Sequence, residues 1–252
     1  MRAQGVLVAG FCVAAGCGGS PGGTPMPGGC PAALASAGEL ASTPRADVNL
    51  ELLALKLSPG KIVADQATYD RVVRDVGAIR AMQPALAKIA FFPRTDGRSV
   101  EMQVLLATGM QMQAGAYHAW DCLNAAYGAA TPFDFIRVGN AADEFVSFKL
   151  KGIYATDRLA LEYARLPGVL SVDGNNLEGD GPTICVTTGD ATWHYVFDDA
   201  GGDCPAGCTE HAYQHFTTEP GGAVTALESW GTESQTPPPA WVAQFASRDT
   251  CH

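Results

Sequence analysis

The clearest periodic pattern of apolar and polar residues predicts a helix over Gln66–Met82. Apolar side chains recur there every three or four residues, which places them on one face of a helix. Asp65 can cap its start, and Pro84 lies just beyond its end. We therefore expect a capped helix that packs one face against a core.

Shorter apolar runs around this helix predict strands, with two further helices between them. The strands are expected at Leu50–Leu57, Lys88–Phe92, Val100–Leu106, Phe133–Val138, Glu144–Leu150 and Val169–Val172. The helices are expected at Met110–Tyr127 and Thr156–Arg165. Over residues 100–173 the order strand–helix–strand–strand–helix–strand is that of a split βαβ, ferredoxin-like module. Such a module has an antiparallel sheet with its helices on one face.

The last third of the chain predicts an antiparallel β-meander. Its four strands are expected at Thr183–Thr188, Thr192–Phe197, His211–Phe216 and Ala223–Trp230, with glycine-containing turns between them. A short helix, Ala240–Ala246, follows. The expected fold class is therefore α+β. A strand–helix–strand extension would occupy residues 47–98, the split βαβ module 99–175 and the meander 176–252.

The first 46 residues show neither pattern and predict export. Arg2 precedes a short apolar run that ends in Ala14-Ala15-Gly16-Cys17, and residues 18–29 are mostly Gly and Pro. A charged start, a short apolar segment and small residues at a cleavage point are typical of a secretory signal. A stretch rich in Gly and Pro behaves as a tether rather than as part of a core.

The small residues before Cys17 resemble the lipobox of bacterial lipoproteins. This resemblance implies a signal peptide over residues 1–16, an acylated Cys17, a tether over 17–46 and a lipid anchor in the cell envelope. Gly18 directly after the cysteine resembles lipoproteins that are sent on to the outer membrane. The alternative is an ordinary secretory signal cut nearby, with Cys17 left to form a disulfide.

Four segments within residues 100–173 resemble the prodomains of subtilases. They are Leu123–Gly128, similar to an "LNxxYG" stretch, then Glu144–Leu150, Leu159–Ala164 and Leu166–Val172, with an "LPGVxxV" pattern in the last. The resemblance implies an inhibitor-like or chaperone-like module whose sheet packs against a protease. Because no catalytic domain of that family follows, the protease would have to be a separate molecule.

In that mode of binding, the terminal strand and the chain beyond it, Val169–Asn176, would form the contact. The candidate binding residues are Val169, Leu170, Ser171 and Val172. The same motif also has a purely structural explanation, since Pro167 ends a helix and Gly168 turns the chain into the next strand.

The charge and hydropathy of the chain argue against nucleic acid and anionic lipid as binding partners. The 252 residues carry a formal net charge of −10, with 47% hydrophobic and 17% charged residues. A packed core is expected, whereas binding to nucleic acid or directly to anionic lipid is not, because both depend on clustered Lys and Arg. No second apolar run approaches the ~20 residues of a membrane-spanning helix, so membrane attachment would depend on the lipid anchor.

The cysteine count fits an oxidising compartment. Without Cys12 and Cys17 the chain keeps six cysteines, at Cys30, Cys122, Cys185, Cys204, Cys208 and Cys251. Three disulfides are possible, and proximity suggests only Cys204–Cys208. The stretch Gly202–Thr209 also resembles a "GDCPxGC" element of uncharacterised exported bacterial proteins, which implies no particular chemistry.

Histidines near this loop raise two alternatives. Cys204, Cys208, His211 and His215 have spacings close to those of zinc sites. On one strand, however, His211 and His215 would lie ~13 Å apart, which disfavours zinc and favours a disulfide. His194 could form a cross-strand pair with His211 at a hydrolytic or binding site, although half-buried structural side chains are the simpler explanation.

The motifs of common catalytic sites are absent from the sequence, among them G-x-S-x-G, H-E-x-x-H and the phosphate-binding P-loop. We therefore expect a non-catalytic binding module of the cell envelope, without a cofactor, whose partner is a protease or another envelope protein. A small extracytoplasmic hydrolase or metal-binding protein that uses His194, His211 and His215 is the alternative. A structural envelope component is a third hypothesis.

Overall fold

The structure is a computed structural model that describes most of the chain after the predicted tether. It covers residues 45–93, 95–116, 123–124, 127, 132–136, 141–176, 180–204 and 207–245. The predicted signal, Cys17, nearly all of the tether, and Cys30, Cys122 and Cys251 lie outside these residues. Within the described ranges, no helix is both long enough and apolar enough to cross a membrane.

The first element is a helix, α1 (Val48–Lys56), so the strand predicted for Leu50–Leu57 is wrong. The carboxylate of Asp47 caps it by accepting hydrogen bonds from the backbone N–H groups of Asn49 and Leu50, at 3.0 and 3.1 Å. Residues 50–55 are all buried. A helix that is buried on every side shows no amphipathic period, and its sequence therefore looks like that of a buried strand.

The second helix, α2 (Gln66–Met82), is confirmed with its predicted bounds and cap. The Asp65 carboxylate accepts a hydrogen bond from the backbone N–H of Thr68 at 3.2 Å. The strand predicted for Lys88–Phe92 is wrong, because a 3-10 turn over Pro84–Lys88 is followed by extended chain without a strand partner. The N–H of Phe92 donates instead to the Thr183 hydroxyl at 3.0 Å.

The middle of the chain forms a four-stranded sheet covered by two helices. Its elements are β1 (Thr95–Leu105), α3 (Leu106–Gln113), β2 (Pro132–Ile136), β3 (Asp143–Lys149), α4 (Thr156–Tyr163) and β4 (Val169–Asn176). The strand order is β2-β3-β1-β4, and all neighbouring strands are antiparallel. Because β3 lies between β1 and β2, this is the predicted split βαβ arrangement, which is confirmed.

The helix predicted over Met110–Tyr127 begins earlier and has a break. Helix α3 runs over Leu106–Gln113, and Gly115 follows it with a φ of 73°. That conformation suits glycine and ends a helix. Residues 123–124 are helical again, whereas residues 117–122 lie outside the described part of the chain.

The last third forms a second sheet, which confirms the predicted meander. Its strands are β5 (Thr183–Thr188), β6 (Trp193–Gly201), β7 (Glu210–Thr218) and β8 (Val224–Gly231), and helix α5 (Ala240–Phe245) follows. The order β5-β6-β7-β8 is antiparallel throughout. The α+β class is therefore confirmed, with two antiparallel sheets.

Two large hydrophobic cores show how these parts pack. One joins α1 and α2 to the inner face of the second sheet, through residues such as Leu53, Ile79, Tyr195 and Phe216. The other lies between the first sheet and helices α3 and α4. The segment before residue 95 therefore packs with the meander, and the split βαβ module is inserted between two parts of the same core.

A buried carboxylate links α2 to the second sheet. Asp75 is fully buried and accepts hydrogen bonds from the hydroxyls of Tyr195 and Thr218, at 3.2 and 2.6 Å. Arg74 pairs with it at 2.7 Å, and Arg71 at 3.4 Å. The same two arginines also donate to backbone carbonyls in the β5–β6 and β7–β8 turns. This network fixes the helix to both hairpins.

Candidate functional site

The first sheet has one covered face and one open face. Along β1, Val100, Met102 and Val104 are fully buried in the core with α3 and α4, and the residues between them are half-buried or exposed. Strand β3 shows the same alternation. Since side chains alternate along a strand, both helices lie on one face, and within the described part of the chain no helix covers the opposite face.

The open face carries an apolar strip beside polar positions. Leu105 and Ile136 are 46% and 48% exposed, and Phe145, half-buried, lies opposite Ile136 in the strand register. Beside the strip, the amide of Gln103 donates to the carboxylate of Asp143 and its oxygen accepts from Ser171. An apolar strip with a polar border is typical of a protein-binding surface.

Strand β4 forms one edge of this sheet and contains the predicted binding residues. Leu170 is 52% exposed and Ser171 is exposed, whereas Val169 and Val172 are half-buried against the core. The pairing with β1 shifts at Leu170, which therefore has no register partner there. The geometry thus makes two of the four candidates accessible and turns the other two inward.

The second sheet also has an outer face, and it holds three histidines. His211 and His215 lie on the same face of β7, as predicted, on either side of Tyr213. His194 pairs with His215 instead of with His211, so the predicted partner is wrong; Nδ1 of His194 lies 3.0 Å from Nε2 of His215. The reason is the register, in which His194 faces Thr217 and His211 faces Ala200.

Both ring nitrogens of His211 are bonded within the protein. Nε2 donates to the backbone carbonyl of Cys208 at 3.1 Å, and Nδ1 lies 2.8 Å from a carboxylate oxygen of Asp198. Because the carbonyl can only accept, Nε2 is the protonated donor in that contact. His211 therefore connects β6 to the disulfide loop, and neither nitrogen is open to a substrate.

Asp198 is buried beside this histidine, and its chemistry is altered by that burial. Desolvation raises the pKa of Asp198 from 3.8 to about 6, against the lowering effect of the His211 hydrogen bond. Asp180 and Asp199 raise it slightly further. Its second oxygen is buried without a hydrogen-bond partner among the described residues, which explains why desolvation dominates.

Cys204 and Cys208 form the disulfide that the sequence favours over a zinc site. Cys185 on β5 is disulfide-bonded as well. Within the described ranges, no three or more His, Cys, Asp or Glu side chains are grouped so that they could hold a metal ion. The two thiolates that zinc would need are thus used in a covalent bond.

Helix α5 covers part of the histidine face. Trp241 and Phe245 pack on His215 with ring centroids at 5.0 and 5.7 Å, and the indole N–H of Trp241 donates to Glu228 at 2.7 Å. Burial and the neighbouring His194 lower the pKa of His215, while Glu228 raises it. The buried imidazole is therefore held in its neutral form near pH 7.

Comparison with known proteins supplies no relative for this arrangement. No protein-family model matches the chain, and no curated protein and no solved structure matches it. The resemblances to a lipobox and to subtilase prodomains therefore stay predictions, and the function has to be argued from the site itself.

Proposed function

We propose that this protein is a lipid-anchored binding module of the cell envelope and that its first sheet binds a protease without performing catalysis. The observation that carries the proposal is the open face of that sheet. Both helices pack on the opposite face, so the strand side chains on the open side have no covering element in the described chain. An antiparallel sheet commonly leaves one face to solvent, and the exposed apolar side chains of Leu105 and Ile136 make this face suited to packing on another protein.

The edge of the sheet adds a second mode of contact. Strand β4 is last in the strand order, so its outer N–H and C=O groups pair with no other described strand. Such an edge can take an extended peptide as an additional strand. Leu170, exposed at this edge, supplies an apolar side chain beside those backbone groups. A protease, whose cleft binds extended chains, fits this edge and the adjoining face.

The proposed location rests on the first residues of the chain. Acylation of Cys17 would hold the module at a membrane, with the Gly- and Pro-rich stretch as the spacer. Labelling with a radioactive fatty acid tests this step. Label is expected in the wild-type protein and is expected to be lost in Cys17→Ala, while label that persists in the variant would contradict an anchor at this residue.

The binding step is tested by titrating the purified protein into a subtilisin-type protease and measuring residual activity. We expect saturable inhibition that Leu170→Asp weakens about tenfold or more, because a charge would be placed in the apolar contact. The matched control is Leu161→Asp. Leu161 is 62% exposed but lies on α4, on the covered side of the sheet.

Equal loss of inhibition in both leucine variants would show that the exposed edge formed by β4 is not the contact. Protease activity unaffected by a molar excess of protein would overturn the protease hypothesis. The alternative hydrolase hypothesis has less support, because both ring nitrogens of His211 are bonded internally. Catalytic turnover that disappears in His211→Ala would nevertheless favour that alternative.

A further inference from the structure

A cavity of about 290 Å³ is lined by residues that belong neither to the open face of the first sheet nor to the histidine face of the second. It is partly open to solvent and is lined by the end of α1, the loop after it, Phe91, Pro93 and the start of α4. Its apolar wall includes Leu52, Leu55, Phe91, Pro93 and Tyr154, and its polar wall includes Lys56, Lys61, Asp157 and Arg158. Pockets with an apolar lining and a few convergent polar groups are typical small-molecule sites, and this volume is at the small end of their range.

The charge around this cavity is opposite to that of the whole chain. Three cationic side chains and one carboxylate line it, although the chain has 16 Lys and Arg against 26 Asp and Glu. Lys61 and Arg158 are exposed, and neither forms an ion pair with a described residue. Lys56 has an interaction of its own, so Lys61 and Arg158 carry the argument.

The start of a helix in the wall also favours an anion. Helix α4 begins at the cavity, and its N-cap residue, Ala155, provides no side-chain cap. The partial positive charge of a helix start adds to that of the two cations. Tyr154 belongs to the apolar wall, because its hydroxyl oxygen is buried away from solvent.

We propose that this cavity binds a small organic anion, a monocarboxylate with a short apolar tail. The carboxylate would lie between Lys61 and Arg158, where a guanidinium can donate two parallel hydrogen bonds. The tail would pack on Leu52, Leu55 and Phe91. Asp157 opposes one of the positive charges, which favours a singly charged ligand over a more highly charged one. This inference is independent of the proposed protease binding.

The test is calorimetric titration of the purified protein with three probes: octanoate, 1-octanol and acetate. Octanoate is expected to bind saturably at one site, and the other two to bind at least about tenfold more weakly, because each lacks one half of the ligand. The variant with both Lys61→Ala and Arg158→Ala is expected to lose about tenfold or more in octanoate affinity. Both positions are exposed, so the variant is expected to fold.

The matched control is Arg165→Ala, which removes an exposed arginine just after the end of α4 that pairs with Glu162. It is expected to bind octanoate as the wild type does. Absence of octanoate binding at millimolar concentration would overturn the proposal. So would equal affinity for octanoate and 1-octanol, or a double variant that binds octanoate like the control.

Discussion

The two sheets of this protein have similar architecture but opposite surface chemistry. Each has four antiparallel strands with helices packed on one face. The free face of the first sheet is exposed and carries neutral polar and apolar side chains beside a few charges. The free face of the second holds histidines, a buried carboxylate and aromatic rings, partly covered by α5. The first face is the one proposed for binding, whereas the second is expected to make stability depend on pH.

The sheets also differ in how they are attached to their helices. The first sheet meets α3 and α4 through a core of apolar side chains. The hydrogen bond from the Tyr163 hydroxyl to Asn124, at 2.9 Å, joins α4 to the helical residues 123–124. The second meets α2 through apolar contacts and through Asp75. A buried carboxylate with several partners is costly to disrupt, because its partners lose their bonds together.

Asp75→Ala is therefore expected to have the largest effect. It should lower the free energy of unfolding by about 3–5 kcal/mol, because Tyr195 and Thr218 would keep buried hydroxyls without their acceptor. Urea unfolding measures the change. Amide hydrogen exchange should show the loss of protection in β6 and β7 before it appears in β1 and β3.

The control for this variant is Asp70→Ala, on an exposed position of the same helix, where the change should stay within about 0.5 kcal/mol. Equal loss of protection in both sheets would show that the two cores unfold as one unit. A small effect of Asp75→Ala would mean that the apolar contacts alone fix α2 to the second sheet.

Asp198 is expected to make the second sheet sensitive to pH. Its pKa is raised from 3.8 to about 6 in the folded protein, so the folded state binds this proton more tightly than the unfolded state does. Stability should therefore fall as pH rises from about 4 to about 6, by roughly 3 kcal/mol at most, and then level off. Asp198→Asn should remove this fall in urea-unfolding curves measured across that range. The exposed Asp190→Asn variant should keep it.

His215 is expected to change the pH dependence of stability less than Asp198 does, and in the opposite direction. Its pKa is lowered on folding, so stability should decrease as pH falls below its ordinary value of 6.5. His215→Gln should flatten this decrease. Glu228→Gln should steepen it, because Glu228 raises the pKa of His215 and so limits the shift. A decrease that is identical in all three proteins would exclude His215 as its source.

Much of the fold could be predicted where the signal is local. Helix α2 follows from an apolar period with Asp65 before it and Pro84 after it, and the Cys204–Cys208 pair follows from proximity. Helix α1 could not be recognised, because burial on every side removes the period.

The contacts of the second sheet depend on long-range register. The pairing of His194 with His215 requires the alignment of β6 with β7, and Asp75 meets Tyr195 and Thr218 across 120 and 143 residues. Patterns within a short stretch of sequence indicate neither the alignment of the two strands nor contacts between residues so far apart in the chain. The candidate face of the first sheet was easier to foresee, because the order of strands and helices alone puts both helices on one side.

The smallest expected effect on stability gives the sharpest comparison of the two sheets. Leu105 at the end of β1 and Leu227 on β8 are 46% and 47% exposed, so replacing either with Thr should change the unfolding free energy by less than about 0.5 kcal/mol. The two variants should differ in binding, since only Leu105 belongs to the proposed protease-binding face. Inhibition constants for a subtilisin-type protease should rise in Leu105→Thr and stay unchanged in Leu227→Thr. An inhibition constant that rises in Leu227→Thr and stays unchanged in Leu105→Thr would show that the second sheet, not the first, binds the protease.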